Sequence, residues 1–388
     1  MKHDILVCGT GIVGLAAALA LARRGQPVAL LGPRPNPPAA EPDRYHPRVY
    51  ALSPASQRFL EALGAWDALP PARLASVAAM EIAGDAGGSV HLHAWQAAQA
   101  ELAWIVESSE IERVLAQAAR MSGLPWIEDR CTGFERGAVL TEGGRRIETR
   151  LAVAADGAGS PLRAAAGLTV RSRPYGQTGL VAHLDAGLAH GGTAFQWFRP
   201  DGVLALLPMP DTADGPQVSM VWSLRDDLAA ELRALPADEQ ARALRDRLDV
   251  ATAGRLGPLR PRGAVHGFPL ALDQAPLTAP GLALVGDAAH RVHPLAGQGL
   301  NLGLGDARAL AEIVGGRETW RSPGDPMVLG RYRRARAEPL LAMRLATDGL
   351  HRLFEARSGP LVWLRNRGMQ WVERLPAVKR GLIAGASR

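Results

Sequence analysis

Three separated segments carry the residues whose types and spacing are best suited to chemistry. The first contains Gly9, Gly11 and Gly14, spaced as Gly-x-Gly-x-x-Gly. An apolar run precedes these glycines and an alanine-rich stretch follows them, which predicts a strand, a tight turn and a helix. Glycines at this spacing let the backbone approach a pyrophosphate, whose charge the N–H groups at the helix start stabilise. The segment therefore predicts a dinucleotide cradle.

The other two segments place a carboxylate directly after an apolar run. Asp156-Gly157 follows residues 151–155, and Gly286-Asp287 follows residues 281–285. An Asp-Gly pair alone indicates only a turn. At the carboxyl end of a strand in a doubly wound domain, however, it lies where such folds bind ligands. Asp287 can then offer its oxygens to the hydroxyls of a sugar-like chain.

A glycine turn follows the second carboxylate. It consists of Gly297, Gln298 and Gly299, with Pro294 before it, and a helix is expected to begin near Leu300. Such a helix start directs backbone N–H groups and a positive dipole at whatever lies before it. A reduced flavin is an anion, which such a helix start would stabilise. This turn and the dinucleotide cradle together therefore predict a flavin site.

His290 and His293 are spaced like metal ligands on one helical turn, which suggests zinc. No cysteine or paired carboxylate accompanies them at a suitable spacing, so we expect no metal and interpret His290 as a hydrogen-bonding residue. The sequence also lacks a Walker motif and a Gly-x-Ser-x-Gly motif, which argues against phosphoryl transfer and hydrolysis. Redox chemistry is the reaction class that remains.

Composition agrees with an ordinary soluble globular protein. Hydrophobic residues make up 47% of the 388 residues and charged residues 21%. The net charge of +6 is concentrated in stretches such as 331–336, which we interpret as a solvated helix face and not a nucleic-acid site. Only Cys8 and Cys131 occur, so a disulfide framework is implausible. Residues 6–22 are short for a membrane span and no cleavage site follows them, so a cytoplasmic location is expected.

The positions of strand and helix signals predict an α/β protein whose second domain is threaded into the first. Strand signals fill residues 77–93 and 179–223. The predicted nucleotide-binding domain comprises residues 1–75, 96–170 and 275–345, and the predicted substrate domain comprises 76–95 and 171–274. Residues 346–388 form an amphipathic helical segment. This segment is expected to pack on its own protein, with a partner or a membrane surface as the alternative.

With these residues in place, the chain resembles the class A FAD monooxygenases, the flavin-dependent aromatic hydroxylases, and specifically the ubiquinone-biosynthesis hydroxylase family. The resemblance covers nearly the whole sequence. Beyond the flavin motifs, it includes residues 48–53 with 63–66, residues 196–198 with 202–208, residues 267–270 and, most specifically, residues 286–306. It implies a Rossmann-like FAD-binding domain of the para-hydroxybenzoate-hydroxylase type, an inserted β-sheet substrate domain and a helical C-terminus.

The resemblance also implies a reaction. NADH or NADPH transiently reduces FAD, O₂ adds to give a flavin C4a-hydroperoxide, and its distal oxygen is transferred to an aromatic ring. The expected substrate is a polyprenylated phenol of ubiquinone biosynthesis, and no catalytic side chain is strictly required because the flavin performs the difficult step. A small soluble aromatic substrate is the alternative within this class. A non-catalytic subunit of a biosynthetic complex is the alternative outside it.

Site residues are carried over from the resemblance by motif. Gly9, Gly11 and Gly14 are assigned to the pyrophosphate, Gly286 and Asp287 to the ribityl chain, Pro294, Gly297, Gln298, Gly299, Leu300 and Asn301 to the ring system, and Arg48, Asp156 and Gly157 to FAD or the nicotinamide. Substrate contacts are expected among residues on the segments that cover the flavin, namely His183, Gln196, Trp197, Phe198, Leu206 and Trp222. Association with an inner-membrane surface or a ubiquinone-biosynthesis complex is a further expectation.

The sequence departs from the family at the end of the second predicted strand. An acidic residue that binds the adenosine ribose is expected there, but the position is Gly32. Loss of a charged hydrogen bond to a hydroxyl would weaken FAD binding by roughly ten- to a hundredfold. Glu41 or Asp43, on the following loop, could compensate.

Overall fold

The computed structural model describes residues 2–37, 41–293, 297–355 and 359–387. Its strands and helices form two eight-stranded sheets, a smaller three-stranded sheet and flanking helices. The first large sheet contains β1 (Lys2–Cys8), β2 (Val28–Leu31), β8 (Trp126–Ile127), β9 (Cys131–Glu135), β10 (Ala138–Thr141), β11 (Arg146–Ala154), β17 (Thr278–Ala279) and β18 (Leu282–Leu284). Its order β17-β18-β11-β1-β2-β8 is parallel from β18 to β8, which confirms the predicted α/β class.

Helices cover the first sheet because its central strands are apolar on both faces. The strand residues Ile5, Leu6 and Val7 are fully buried, as is Cys8. The ten helices of the described residues are α1 (Ile12–Arg23), α2 (Pro54–Ala62), α3 (Ser108–Met121), α4 (Pro161–Ala165), α5 (Asp226–Ala234), α6 (Ala237–Thr252), α7 (Gln298–Gly315), α8 (Pro326–Glu355), α9 (Gly359–Arg374) and α10 (Pro376–Ala386). The predicted helix of the dinucleotide cradle is α1, which packs against α3 and α7.

The second large sheet has the order β19-β16-β12-β15-β14-β13-β5-β6. Its strands are β5 (Ala79–Ala83), β6 (Ser89–His93), β12 (Arg171–Ala186), β13 (Thr193–Arg199), β14 (Gly202–Thr212), β15 (Gly215–Arg225), β16 (Leu259–Gln274) and β19 (His290–Arg291). One face of this sheet packs on α5 and α6 around Trp222, Leu206 and Leu248. The other face of this sheet lines a cavity. Strand β19 lies within residues 275–345, which the sequence analysis assigns to the nucleotide-binding domain, but it pairs with β16 of the second sheet. The domain boundaries themselves stay a prediction.

A third, small sheet lies between the two large ones. It contains β3 (Val49–Leu52), β4 (Leu74–Val77) and β7 (Ala103–Glu107) in the order β3-β7-β4. Three-residue 3-10 turns, Trp66–Ala68 and Pro71–Arg73, lead into it from α2. The small sheet therefore places Arg48 and Tyr50 beside both larger sheets.

The C-terminal helices α9 and α10 pack back on the second sheet and its flanking 3-10 turn, as expected for an amphipathic tail. Asn366 Oδ1 accepts a hydrogen bond from Gly88 N at 2.9 Å, and the buried Arg365 forms an ion pair with Asp85. Lys379 Nζ donates to His91 O at 2.9 Å. No helix among the described residues is long and apolar enough to cross a membrane.

Candidate functional site

A cavity of about 620 Å³ lies between the carboxyl edge of the first sheet and the open face of the second. The starts of α1 and α7, the small sheet and α10 all contribute to its wall. Predicted cofactor residues that line it are Gly11, Arg48, Gly157, Asp287, Gly297, Gln298, Gly299 and Leu300. The structure therefore brings motifs nearly 290 residues apart to one cavity.

The predicted dinucleotide cradle requires its glycines for different reasons. Gly9 has φ +114, and a Cβ there would lie 2.1 Å from Ala155 O. A Cβ on Gly14 would lie 2.0 Å from Gly9 O, whereas one on Gly11 would meet nothing within 4 Å. Gly9 and Gly14 thus allow the turn to pack on β11, while Gly11 leaves open space at the start of α1. Within the described ranges no side chain caps that helix start, so its first N–H groups are available to an anion.

The start of α7 has the same character. Its N-cap is Gly297, with φ +65, and no side chain among the described residues caps the helix. Asn301 faces away from the open end and fastens the turn to the small sheet: its Oδ1 accepts from Ser53 N at 3.0 Å, and its Nδ2 donates to Ala51 O at 2.8 Å. Two uncapped helix starts thus open into one cavity, an arrangement suited to a ligand with two separated anionic groups. Pro294, predicted beside this turn, lies outside the described residues.

A buried network fixes the Gly286-Asp287 turn from behind. Asp306 Oδ2 accepts a hydrogen bond from Gly286 N at 3.0 Å and lies 2.6 Å from His290 Nε2. Asp306 Oδ1 accepts from Arg336 Nε at 2.6 Å. Burial alone would raise the pKa of the Asp306 carboxyl, but His290 and Arg336 outweigh it and hold that pKa below its ordinary value. His290 is therefore a hydrogen-bonding residue, as its sequence context indicated.

Asp156 supports the Asp156-Gly157 turn by a local contact. Its Oδ2 accepts from Leu162 N at 3.3 Å, in the first turn of α4, and its buried Oδ1 has no hydrogen-bond partner in the part of the chain that the structure describes. Burial raises the pKa of this carboxyl, although the hydrogen bonds oppose the shift. Gly157 lines the cavity, whereas Asp156 lies behind it. The pair therefore shapes the cavity wall through its turn.

Arg48 lies on the cavity wall with Tyr50 and Glu112. The Arg48 guanidinium carbon is 5.1 Å from the centre of the Tyr50 ring. Burial raises the pKa of Tyr50 to about 12, against the opposing charge of Arg48. Burial also raises the pKa of Glu112. Tyr50 and Glu112 were not predicted as site residues, and only their proximity to motif residues in the fold identifies them.

Side chains on the open face of the second sheet form the opposite wall. Gln196, Ala205, Val221 and Val181 stand in one row across β13, β14, β15 and β12, because they are successive cross-strand partners. All four line the cavity. This wall is mostly apolar. Within the described residues, the Gln196 side chain forms no hydrogen bond, which leaves its amide available to a ligand.

Of the residues predicted for substrate contact, Gln196 alone lines the cavity. Leu206 and Trp222 point to the opposite face of the sheet and are buried in the core formed with α5 and α6. Trp197 also packs on that core, and Phe198 stacks on Phe354 with ring centres 3.9 Å apart. The side-chain period of a strand is two residues, so Trp197, Leu206 and Trp222, each one position from a cavity-lining residue, lie on the wrong face. Phe198 shares the face of Gln196 but is covered by Phe354.

His183 lies on the same face of β12 as Val181, but residues 45 and 46 cover it. Its Nε2 is 2.9 Å from His46 O, and the Tyr45 ring packs edge-on against it with centres 6.2 Å apart. Burial lowers the pKa of the imidazole. His183 therefore supports the end of the sheet, and the structure does not bring it to the cavity.

Helix α10 is an unpredicted part of the cavity wall. Leu382 and Ile383 line the cavity, and Leu382 is half exposed to solvent. The sequence signalled an amphipathic tail, but nothing in it indicated which surface the tail would meet. Among the described residues, no group of three His, Cys, Asp or Glu side chains is placed to hold a metal ion.

Comparison with known proteins agrees with this geometry. The FAD binding domain family model matches residues 2–340. Ubiquinone hydroxylase UbiL of Rhodospirillum rubrum is 36% identical over 97% of this chain and 87% of its own length. The 3-demethoxyubiquinol 3-hydroxylase of Escherichia coli is 33% identical over 97% and 96%.

Solved structures show the same fold at lower identity. PqsL from Pseudomonas aeruginosa, titled a probable FAD-dependent monooxygenase, has a TM-score of 0.75 and 23% identity, covering 95% of this chain and all of that one. The p-nitrophenol 4-monooxygenase PnpA of Pseudomonas putida has a TM-score of 0.76 and 18% identity, covering 100% and 98%. The chain belongs to the FAD-binding-domain family of flavin-dependent monooxygenases and, within it, to the ubiquinone-biosynthesis hydroxylases.

Proposed function

We propose that this protein uses NADH or NADPH and O₂ to hydroxylate the ring of a polyprenylated phenol, a precursor of ubiquinone. The observation that carries the proposal is the single cavity that joins two uncapped helix starts to an apolar wall. The first feature suits FAD, and the second suits an aromatic ring with an apolar substituent. The substrates named for the Rhodospirillum and Escherichia relatives support the same reaction class.

FAD fits the described residues. The open space at Gly11 and the free N–H groups of α1 would receive the pyrophosphate, with Gly9 and Gly14 shaping the turn. Asp287, on the cavity wall, would accept hydrogen bonds from the ribityl hydroxyls, with Gly286 held by Asp306. When bound and reduced by NADH or NADPH, FAD supplies the oxygen-activating chemistry.

The start of α7 would stabilise negative charge on the bound ring system. Gln298, Gly299 and Leu300 line the cavity, and their backbone N–H groups belong to the uncapped first turn. A fixed positive dipole in a water-poor cavity stabilises an anion without reorganising during the reaction. Asn301, through Ser53 and Ala51, keeps this helix start in place. Arg48 and the Gly157 turn are proposed to contact FAD or the transient nicotinamide.

The second sheet would hold the phenol. The apolar side chains of Val181, Ala205 and Val221 exclude water from the reacting ring, and the Gln196 amide offers a hydrogen bond to its hydroxyl. Excluding water protects the activated oxygen from unproductive loss. The apolar character of this wall favours a prenylated phenol over a small aromatic acid. Leu207 and Phe268 extend it.

The exposed side of the C-terminal helices suggests where such a substrate arrives. Trp371 lies on α9, Leu375 lies between α9 and α10, and Val378 and Leu382 lie on α10; all four are exposed. Leu382 also borders the cavity. Arg374 and Arg380, in the same two helices, are exposed as well. Exposed apolar side chains with arginines suit an anionic lipid surface, so we propose that the protein takes its substrate from the membrane through these helices.

The reaction is tested with purified, FAD-loaded protein, NADH or NADPH, and ¹⁸O₂. A short-chain 2-prenylphenol should gain one labelled oxygen, and 4-hydroxybenzoate should gain none. Labelling of the small acid alone would support the soluble-substrate alternative. Absence of labelling in both, despite bound flavin, would support the non-catalytic alternative.

The membrane proposal is tested by flotation with vesicles. Vesicles containing anionic lipid should recover the wild type more strongly than neutral vesicles, and W371Q/L375Q should reduce that recovery. The matched control is M121Q, which changes an exposed apolar side chain on α3 and not on the C-terminal helices. Equal recovery of the wild type and W371Q/L375Q would contradict the proposal.

A further inference from the structure

The glycine at the end of β2 is required by its surroundings. Gly32 has φ +155, and a Cβ there would lie 2.8 Å from both Cγ2 and Oγ1 of Thr10. Thr10 is buried, and its hydroxyl donates to Pro33 O at 2.6 Å. A glutamate or aspartate at position 32 would therefore disturb the cradle itself. A carboxylate for the adenosine ribose of FAD must come from another position.

The two carboxylates suggested by the sequence are engaged elsewhere. Glu41 pairs with Arg44 at 3.2 Å. Asp43 Oδ1 accepts a hydrogen bond from Ala213 N at 3.1 Å, in the turn between β14 and β15. The Asp43 contact joins the loop to the second sheet, and the Glu41–Arg44 pair lies within the loop, so neither contact is at the end of β2.

A third carboxylate lies directly beside Gly32. Strand β8 is the parallel neighbour of β2, with Ile127 opposite Leu31. Gly32 N donates to Ile127 O at 3.1 Å, and Trp126 Nε1 donates to Gly32 O at 2.9 Å. Glu128 is the next residue of this strand end. Its backbone is thus about one strand spacing, roughly 5 Å, from the position where the family carries its acidic residue.

The Glu128 side chain is held in place and accessible. Arg34 Nε donates to Glu128 Oε1 at 2.6 Å, and the Arg34 guanidinium lies 5.2 Å from the centre of the Trp126 ring. Within the described residues, the second oxygen, Oε2, forms no hydrogen bond. The side chain is 59% exposed, so a ligand can reach it.

We propose that Glu128 binds a ribose hydroxyl of the adenosine half of FAD, in place of an acidic residue at position 32. Arg34 acts as the positioning residue, because it fixes one carboxylate oxygen and leaves the other for the ligand. The proposal rests on FAD binding and is independent of which phenol is hydroxylated. The contact to the ribose is then moved from position 32 to Glu128 and is not lost.

The test measures the Kd of FAD for apoprotein by calorimetry. E128A should raise the Kd by roughly ten- to a hundredfold, the effect of removing a charged acceptor from a hydroxyl. The matched control is E135A, which removes an exposed glutamate paired with Arg146 at 3.4 Å, at the far end of β9. E135A should leave the Kd unchanged. Equal affinity of E128A and E135A would overturn the proposal.

FAD analogues lacking the adenosine 2′- or 3′-hydroxyl identify the contact. The wild type should lose affinity for at least one analogue relative to FAD, and E128A should bind that analogue and FAD alike. If E128A still discriminates as strongly as the wild type, Glu128 does not bind the ribose. Tight FAD binding with these results, but without hydroxylation of any phenol, would refute the proposed reaction and leave this proposal standing.

Discussion

His290 Nε2 and Asp306 Oδ2 lie 2.6 Å apart beneath the Gly286-Asp287 turn. Asp306 is fully buried in α7 and also binds Arg336 of α8. Tyr332, one turn earlier on α8, donates to Leu284 O at 2.8 Å. The turn that offers Asp287 to the cavity is therefore held by two helices. Its geometry depends on a charge network that never touches the cavity.

D306N should destabilise the protein strongly. The change removes the charge that pairs with Arg336 and leaves a buried guanidinium without its partner, which costs roughly 3–5 kcal/mol. Urea unfolding of the apoprotein measures this loss. The control D201N removes a more exposed partner of Arg199, paired at 3.3 Å, and should cost less than about 1 kcal/mol. Similar losses in both variants would show that the network contributes little.

The same carboxylate predicts a pH dependence. The folded-state pKa of Asp306 is below its ordinary value, about 3.9 in an unfolded chain. Its contribution to stability is therefore complete above the unfolded pKa and is lost as the pH falls through the folded one. The difference in free energy of unfolding between the wild type and D306N should be constant from pH 7 to about 5 and shrink below about 4. A difference that grows toward acid would contradict this assignment.

Local signals in the sequence predicted the two helix starts that the structure places at the cavity. Gly11 and Gly297 are the N-caps of α1 and α7, and such turns are set by neighbouring residues. Arg336 could not be predicted as a support of the Gly286 turn, because 30 residues separate it from Asp306 and only helix packing joins them. The approach of Leu382 to the cavity depends on tertiary packing in the same way.

Most residues predicted for substrate contact lie away from the cavity, for a different reason. In β15 the serines alternate with apolar residues, a pattern that indicates that Trp222 faces the core. In β14, however, successive residues from Val203 to Leu207 are apolar, so alternation does not show which face is open. Leu206 and Ala205 are adjacent, yet one lies in the core and the other on the cavity wall. Only the position of α5 and α6 decides between them.

Paired substitutions test this assignment of faces. A205F fills the cavity, so it should lower kcat/KM for the phenol while changing stability by less than about 1 kcal/mol. L206A leaves a hole in the core and should cost roughly 2–5 kcal/mol, with kcat/KM largely retained below its unfolding transition. Steady-state kinetics and urea unfolding of both variants measure the two effects. The reverse pattern would place Leu206 on the cavity wall.

G32E tests whether Gly32 replaced a useful acidic residue or is a glycine that the fold requires. If it replaced a useful acidic residue, restoring the acidic side chain would tighten FAD binding. We expect weaker FAD binding and a loss of stability of roughly 1–3 kcal/mol, because the new Cβ meets Thr10 in a backbone conformation that favours glycine. The control G137E introduces the same residue at φ +85, where a Cβ meets nothing within 4 Å, and measures the backbone cost alone. T10A removes the two atoms that lie 2.8 Å from the new Cβ, so G32E should cost less stability in the T10A background than in the wild type, with T10A alone as the reference because it loses the hydrogen bond to Pro33 O.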